Sequence, residues 1–228
     1  MVTNNIGVFN GTTLLQRKSE IGGSRFVFVA LGGTPNLITP PIGGKLVNPF
    51  MGKFFAGDLL EYSISTDKAG AEIKLLKTFT VADTVSSDGT LIKIVKNGYT
   101  HRPVVGEVIM KAPTSLTGKG AGYAITAVTE TANTYEVTVA TTLGALAKND
   151  ILVDAASSGA TVQMLVTNPN AVADCDYDMV YEPSTGFDGA KYMFTPALHA
   201  TMWECRMSAI PACVKALNKS KVAGWFEI

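Results

Sequence analysis

The chain has 228 residues, enough for one large domain or two small ones with a real core. Hydrophobic residues make up 46% and charged residues only 17%, a composition that excludes a disordered chain and is sparse in charge. Nineteen bases balance nineteen acids, and the bases are scattered singly, so no nucleic-acid partner is expected.

Sparse charge lowers repulsion between neighbours, which suits a subunit covered by partners. It is equally what a β-protein rich in Thr, Gly and Ala shows. The charge is uneven along the chain: residues 1–57 carry +4, residues 58–186 carry −6 and residues 187–228 carry +2. Basic ends around an acidic middle predict complementary contacts with neighbours in a head-to-tail assembly. Cys175, Cys205 and Cys213 form no metal-ligand spacing, and their odd number argues against a disulfide framework. They read as reduced thiols of a protein made in a cytosol. Residues 1–10 are polar and unlike a signal peptide, and no apolar run approaches the roughly 18 residues needed to span a bilayer. No membrane partner is expected.

Taken in chain order, residues 1–57 are punctuated by paired glycines and by Pro35, Pro40, Pro41 and Pro49. Only residues 25–31 read there as a strand, with Phe26 and Phe28 on one face. Residues 34–51 read as an extended arm that lies on another subunit or wraps its own domain. Next come strands over 59–65 and 71–81, joined as a hairpin. Residues 84–166 carry at least six short strands between turns, over 91–95, 104–110, 123–129, 135–141, 151–154 and 161–166. Asp88-Gly89 and Asn97-Gly98 are hairpin signals among them. Together they predict a mainly β fold, a small antiparallel barrel or sandwich over residues 58–166. From residue 167 the texture is mixed. Tyr192-Met-Phe194 reads as a strand, and residues 212–219 as a short helix after Pro211 with Ser208 as a possible cap. Trp225 and Phe226 close the chain.

One pattern occurs three times: Gly57-Asp58-Leu59-Leu60, Gly106-Glu107-Val108-Ile109 and Asn149-Asp150-Ile151-Leu152. A turn residue that tolerates left-handed backbone, an acid and an aliphatic pair predict three similar strand entries. The spacings, 49 and 43 residues, are too uneven for a solenoid.

The residues offer little chemistry. Asp174, Asp176 and Asp178 have alternate spacing, but Met179 and Thr185 stand where a calcium loop needs Gly and Glu. They read as a solvated strand edge, with cation binding left open. His101 reads as near the surface, and His199 lies in a mixed apolar stretch. A dyad of His199 with Cys205 or Cys213 needs only closeness in space, but no third activating group or oxyanion motif is visible, and a core histidine is the commoner reading. Gly118-Lys119-Gly120-Ala121-Gly122 precedes a strand, not a helix, and so reads as a flexible connection instead of a phosphate loop. No catalytic, metal or cofactor-binding residue is assigned, and the chain reads as a non-enzyme without a cofactor. The large aromatics Phe26, Phe28, Phe50, Phe54, Trp203, Trp225 and Phe226 are the candidates for a partner interface, with core positions the alternative.

In residues 91–112, 123–170 and 177–228, including Tyr181-Glu-Pro-Ser-Thr-Gly-Phe-Asp-Gly189, the chain resembles auxiliary capsid proteins of tailed bacteriophages. These are head-decoration and head-fibre-type proteins, particularly of crAss-like and other Bacteroidales phages. The resemblance implies a virion component assembled in the bacterial cytoplasm. Its partner would be the major capsid protein, with capsomers cemented or head fibres anchored through arms and aromatics, as a homo- or hetero-oligomer. A non-catalytic carbohydrate- or ligand-binding β-module is the competing expectation, with Tyr177, Tyr181 and Trp203 as its platform.

Overall fold

An aliphatic strand needs a sharp, well-satisfied entry if it is to bury a side chain by its second residue, as Leu60, Ile109 and Leu152 are buried, and the three repeated motifs supply one. The computed structural model describes residues 8–9, 12–13, 30–31, 34–35, 44–47, 53–64, 70–174, 176–178, 193–194, 196–217 and 225–227. In it Gly57, Gly106 and Asn149 have φ of 78°, 97° and 70°. Each occupies the third position of a β-turn whose closing bond runs from the acid's N–H: Asp58 to Phe55 O, Glu107 to Val104 O and Asp150 to Ala147 O, at 3.0, 3.2 and 3.1 Å. Positive φ at that position alone defines a type II turn.

The same residues also form a β-bulge. The N–H groups of Gly57, Gly106 and Asn149 donate to Ala173 O, Ile125 O and Val81 O. Those three partners return their own N–H to the carbonyls of Asp58, Glu107 and Asp150. Two residues therefore oppose one, which bends the strand as it enters its sheet. Entry is specified three times by one device.

The chain divides into two compact units. The first comprises Met1–Leu75, Asn170–Met207 and Asn218–Ile228, and the second Leu76–Pro169 and Ser208–Leu217. In the second, an antiparallel sheet runs in the order Leu91–Val95, Thr134–Val139, Lys119–Glu130, Val108–Lys111, Ile151–Asp154 and Thr78–Thr80. Gly159–Gln163 pairs with the first part of Lys119–Glu130. The outer strands approach at a single bridge, Val81 opposite Ile94, and not along a ladder, so the form is sandwich-like and no closed barrel is made. Alternation turns Ile92, Ile94, Tyr135, Val137 and Val139 inward onto Phe79, Ile109 and Leu152. Each fully buried aliphatic contributes about 1.5–3 kcal/mol.

The first unit holds a five-stranded sheet ordered Ala171–Val172, Leu59–Ile64, Ala71–Leu75, Gly44–Leu46 and Met193–Phe194. Its core gathers Leu46, Phe54, Leu60, Tyr62, Ile73 and Leu75. Two-stranded ladders join Lys53–Phe54 to Tyr177–Asp178 and Thr201–Trp203 to Trp225–Glu227. Val8–Phe9 and Thr12–Thr13 form a small hairpin, and Ala30–Leu31 pairs with Thr34–Pro35.

The mainly β class, the antiparallel pairing and the short helix near the C-terminus are as predicted. Several details differ. The strand predicted over 71–81 is two strands, Ala71–Leu75 and Thr78–Thr80, divided at the passage from the first unit to the second. Leu91–Val95 pairs with Thr134–Val139 and not across the Asn97-Gly98 turn. Asn97 Oδ1 accepts from Tyr99 N (2.8 Å) and Thr100 Oγ1 (3.0 Å), which sets a turn within a long irregular connection.

The glycine-rich stretch read as a flexible connection is strand from Lys119 onward. A Cβ on Gly122 would lie 2.7 Å from Val162 Cγ2 and 2.9 Å from Ala155 Cβ, so close strand approach explains the glycine there. The helix is Ala212–Lys215 with Pro211 at its N-cap. Ser208 does not cap it; its hydroxyl donates to Tyr99 O at 2.7 Å. Of the extended arm, Gly44–Leu46 is a strand in the chain's own sheet, parallel to Ala71–Leu75, and most of its other residues lie outside the described ones.

Candidate functional site

Of the seven aromatics singled out by sequence, Phe26, Phe28 and Phe50 lie outside the described residues. Phe54 is fully buried in the first unit, so of its two possible roles it has the core one in this chain. Trp203 is 37% exposed, the one aromatic among the large hydrophobic side chains exposed in the described residues. Its strand, Thr201–Trp203, is placed by pairing with Trp225–Glu227, in which Trp203 stands opposite Trp225 and Met202 opposite Phe226. Met202 is fully buried, so alternation fixes Trp203 on the outward side. Backbone pairing thus brings Trp203, Trp225 and Phe226 into one ladder.

The potential chemical groups have structural places. Asp176 Oδ1 accepts from Ala56 N at 2.9 Å, which ties it to the first bulged turn, and Asp178 pairs in register with Lys53. Asp176 is therefore a turn brace and not a solvated edge residue. No group of three His, Cys, Asp or Glu that could hold a metal occurs among the described residues. His101, expected near the surface, is buried, with 4% of it exposed. His199 is half-buried, Cys205 is exposed and Cys213 is buried, and burial pushes the Cys213 thiol above its ordinary value. Cys175 lies outside the described residues.

The three turn acids are the best-defined polar groups. Each carboxylate accepts the N–H of the residue opening its turn: Asp58 from Phe55 (2.6 Å), Glu107 from Val104 (2.8 Å) and Asp150 from Ala147 (2.8 Å). Asp150 also meets Lys111 Nζ at 2.6 Å. Burial works against the charged form of Asp150, but the Lys111 bond, the Ala147 N–H and the Lys111 charge outweigh it, and its carboxyl titrates below the ordinary value. Glu107 meets Lys77 Nζ, and here both side chains are almost wholly enclosed. Lys77 Nζ lies 5.3 Å from the centroid of the Phe79 ring.

Sequence reasoning passed over the Lys77–Glu107 pair. The signal is visible in retrospect, since Lys77 stands among Leu75, Leu76, Phe79 and Val81, where a solvated lysine is out of place. On the surface, Glu130 binds Lys96 at 2.6 Å and Arg102 at 3.7 Å. The Lys96 bond leads the interactions that hold the Glu130 carboxyl below its usual range.

No described helix is long and apolar enough to cross a membrane. Comparison with protein-family models, with curated proteins and with solved structures found no match in any of the three. The fold and the site define, among the described residues, a mainly β protein with an exposed Trp203 on a terminal two-stranded ladder and three acid-braced strand entries.

Proposed function

We propose that this chain is a structural virion protein that binds the capsid of a tailed bacteriophage, cementing capsomers or anchoring head fibres. The observation that carries the reading is Trp203, held outward on a strand whose position is set by the chain's last strand. A rigid aromatic fixed by backbone pairing loses little entropy on docking, which is why such residues dominate interface energetics. The resemblance of residues 91–112, 123–170 and 177–228 to auxiliary capsid proteins supports the same reading, as does the low charge content. Repetition over a lattice lets modest contacts sum through avidity.

The N-terminal segment is the second contact in this proposal. Among the described residues, Val8–Phe9 and Thr12–Thr13 pair only with each other. Deleting residues 1–24 therefore removes none of the described partners of the five-stranded sheet. The deletion is expected to abolish capsid association while circular dichroism remains that of a folded β protein. A truncated protein that decorates capsids normally contradicts the arm contact. A monodisperse monomer that ignores capsids and is retained on a glycan array supports the ligand-binding module instead.

A further inference from the structure

We propose that Lys77 and Glu107 condense into an amide, an intramolecular isopeptide cross-link inside the second unit. Nζ of Lys77 touches Oε1 of Glu107, and the two side chains are only 2% and 4% exposed. The other oxygen, Oε2, accepts the Val104 N–H at 2.8 Å, which fixes the carboxyl plane. Phe79 covers the amine from one side. An amine and a carboxyl group are thus held in contact in an enclosed setting beside Phe79, where proximity replaces the activation that the same reaction requires in water.

The step balances without a co-reactant. One proton passes from the Nζ ammonium to Oε1 and gives an uncharged amine and acid, a pair that needs less solvation than two ions. The Nζ lone pair attacks Cδ, and the Val104 N–H supports the charge that develops on Oε2. A further proton moves from Nζ to the Oε1 hydroxyl, the Cδ–Oε1 bond breaks and one water departs. Oε2 remains as the amide oxygen. No group is oxidised or reduced.

The molecule contains its own control. Asp150 sits in the same turn motif and also meets a lysine, Lys111, but there one oxygen, Oδ2, accepts from both Lys111 and the Ala147 N–H, and the Asp150 and Lys111 side chains are 22% and 47% exposed. Water solvates that pair and keeps it ionic. The cross-link is therefore specific to the buried copy of the motif.

The test is the intact mass of the purified, folded full chain under denaturing conditions. The expected mass is one water below that of the sequence, and digestion releases a branched peptide joining the Lys77 and Glu107 segments. Lys77→Arg keeps the cation but loses the primary amine, so it should show the full sequence mass and a lower unfolding midpoint. Lys111→Arg should keep the deficit. A folded wild-type chain at its full sequence mass overturns the proposal, whether or not the variants fold. A branched peptide mapping to Lys111 and Asp150 overturns it equally.

Discussion

A lysine enclosed among leucines and phenylalanine is tolerable only because Glu107 meets it, and this pair sets the strictest local requirement in the second unit. Removing one member of a buried pair leaves the other without compensation, which costs about 3–5 kcal/mol. Lys77→Met leaves the enclosed Glu107 carboxyl without its partner and also removes the proposed cross-link, so a loss of at least that size is expected in urea unfolding, and a loss below about 1 kcal/mol would contradict both roles. Asp150 gives a pH signature. Its folded carboxyl lies below the ordinary value of 3.8, so it contributes stability above that value and loses it as pH falls through the folded value. Asp150→Asn should be less stable than the wild type at neutral pH, with the gap closing in acid below 3.8 when melting temperature is followed against pH. A gap independent of pH would refute the charge contribution.

Among the elements, the bulged turns show how much of this fold the sequence spells out. Gly57-Asp58, Gly106-Glu107 and Asn149-Asp150 predict three alike strand entries because left-handed backbone, an acid and an aliphatic pair with its second member buried are all local demands. Gly106→Ala is expected to cost about 1–2 kcal/mol, since it puts a Cβ on a left-handed position. Asn149→Gly should be neutral or slightly stabilising by the same argument, and chemical denaturation of both variants measures the contrast. Equal destabilisation by the two changes would refute the turn assignment. Pairing across long separations was less legible. Thr78–Thr80 and Ala71–Leu75 share one continuous apolar run, and periodicity carries no mark of where the chain leaves one unit for the other. Nor could alternation alone show that Leu91–Val95 would choose Thr134–Val139 as its partner. The candidate interface was legible only in part. Composition marks Phe54 and Trp203 alike, and it takes their neighbours to bury the first and turn out the second.

For the whole molecule, the chain passes repeatedly between two units, and its charge follows them. Leu76–Pro169 carries seven acids and seven bases, so the acidic excess of the middle region falls at residues 58–75 and 170–186. Those segments belong to the same unit as the basic residues 1–57. In register, Lys45 stands opposite Glu72 and Lys53 opposite Asp178. The basic and acidic stretches that sequence predicts to meet across separate subunits therefore fall within one unit of the chain. In the proposed reading the exposed Trp203 is the contact offered to a partner.

The most direct measurement is a quantitative mass-spectrometric inventory of purified phage particles from cells expressing either this chain or its Trp203→Ala variant. The capsid-binding account predicts the wild-type chain in fixed proportion to the major capsid protein and the variant strongly depleted. A wild-type chain absent from intact particles, and found only as a free protein in the lysate, would contradict it.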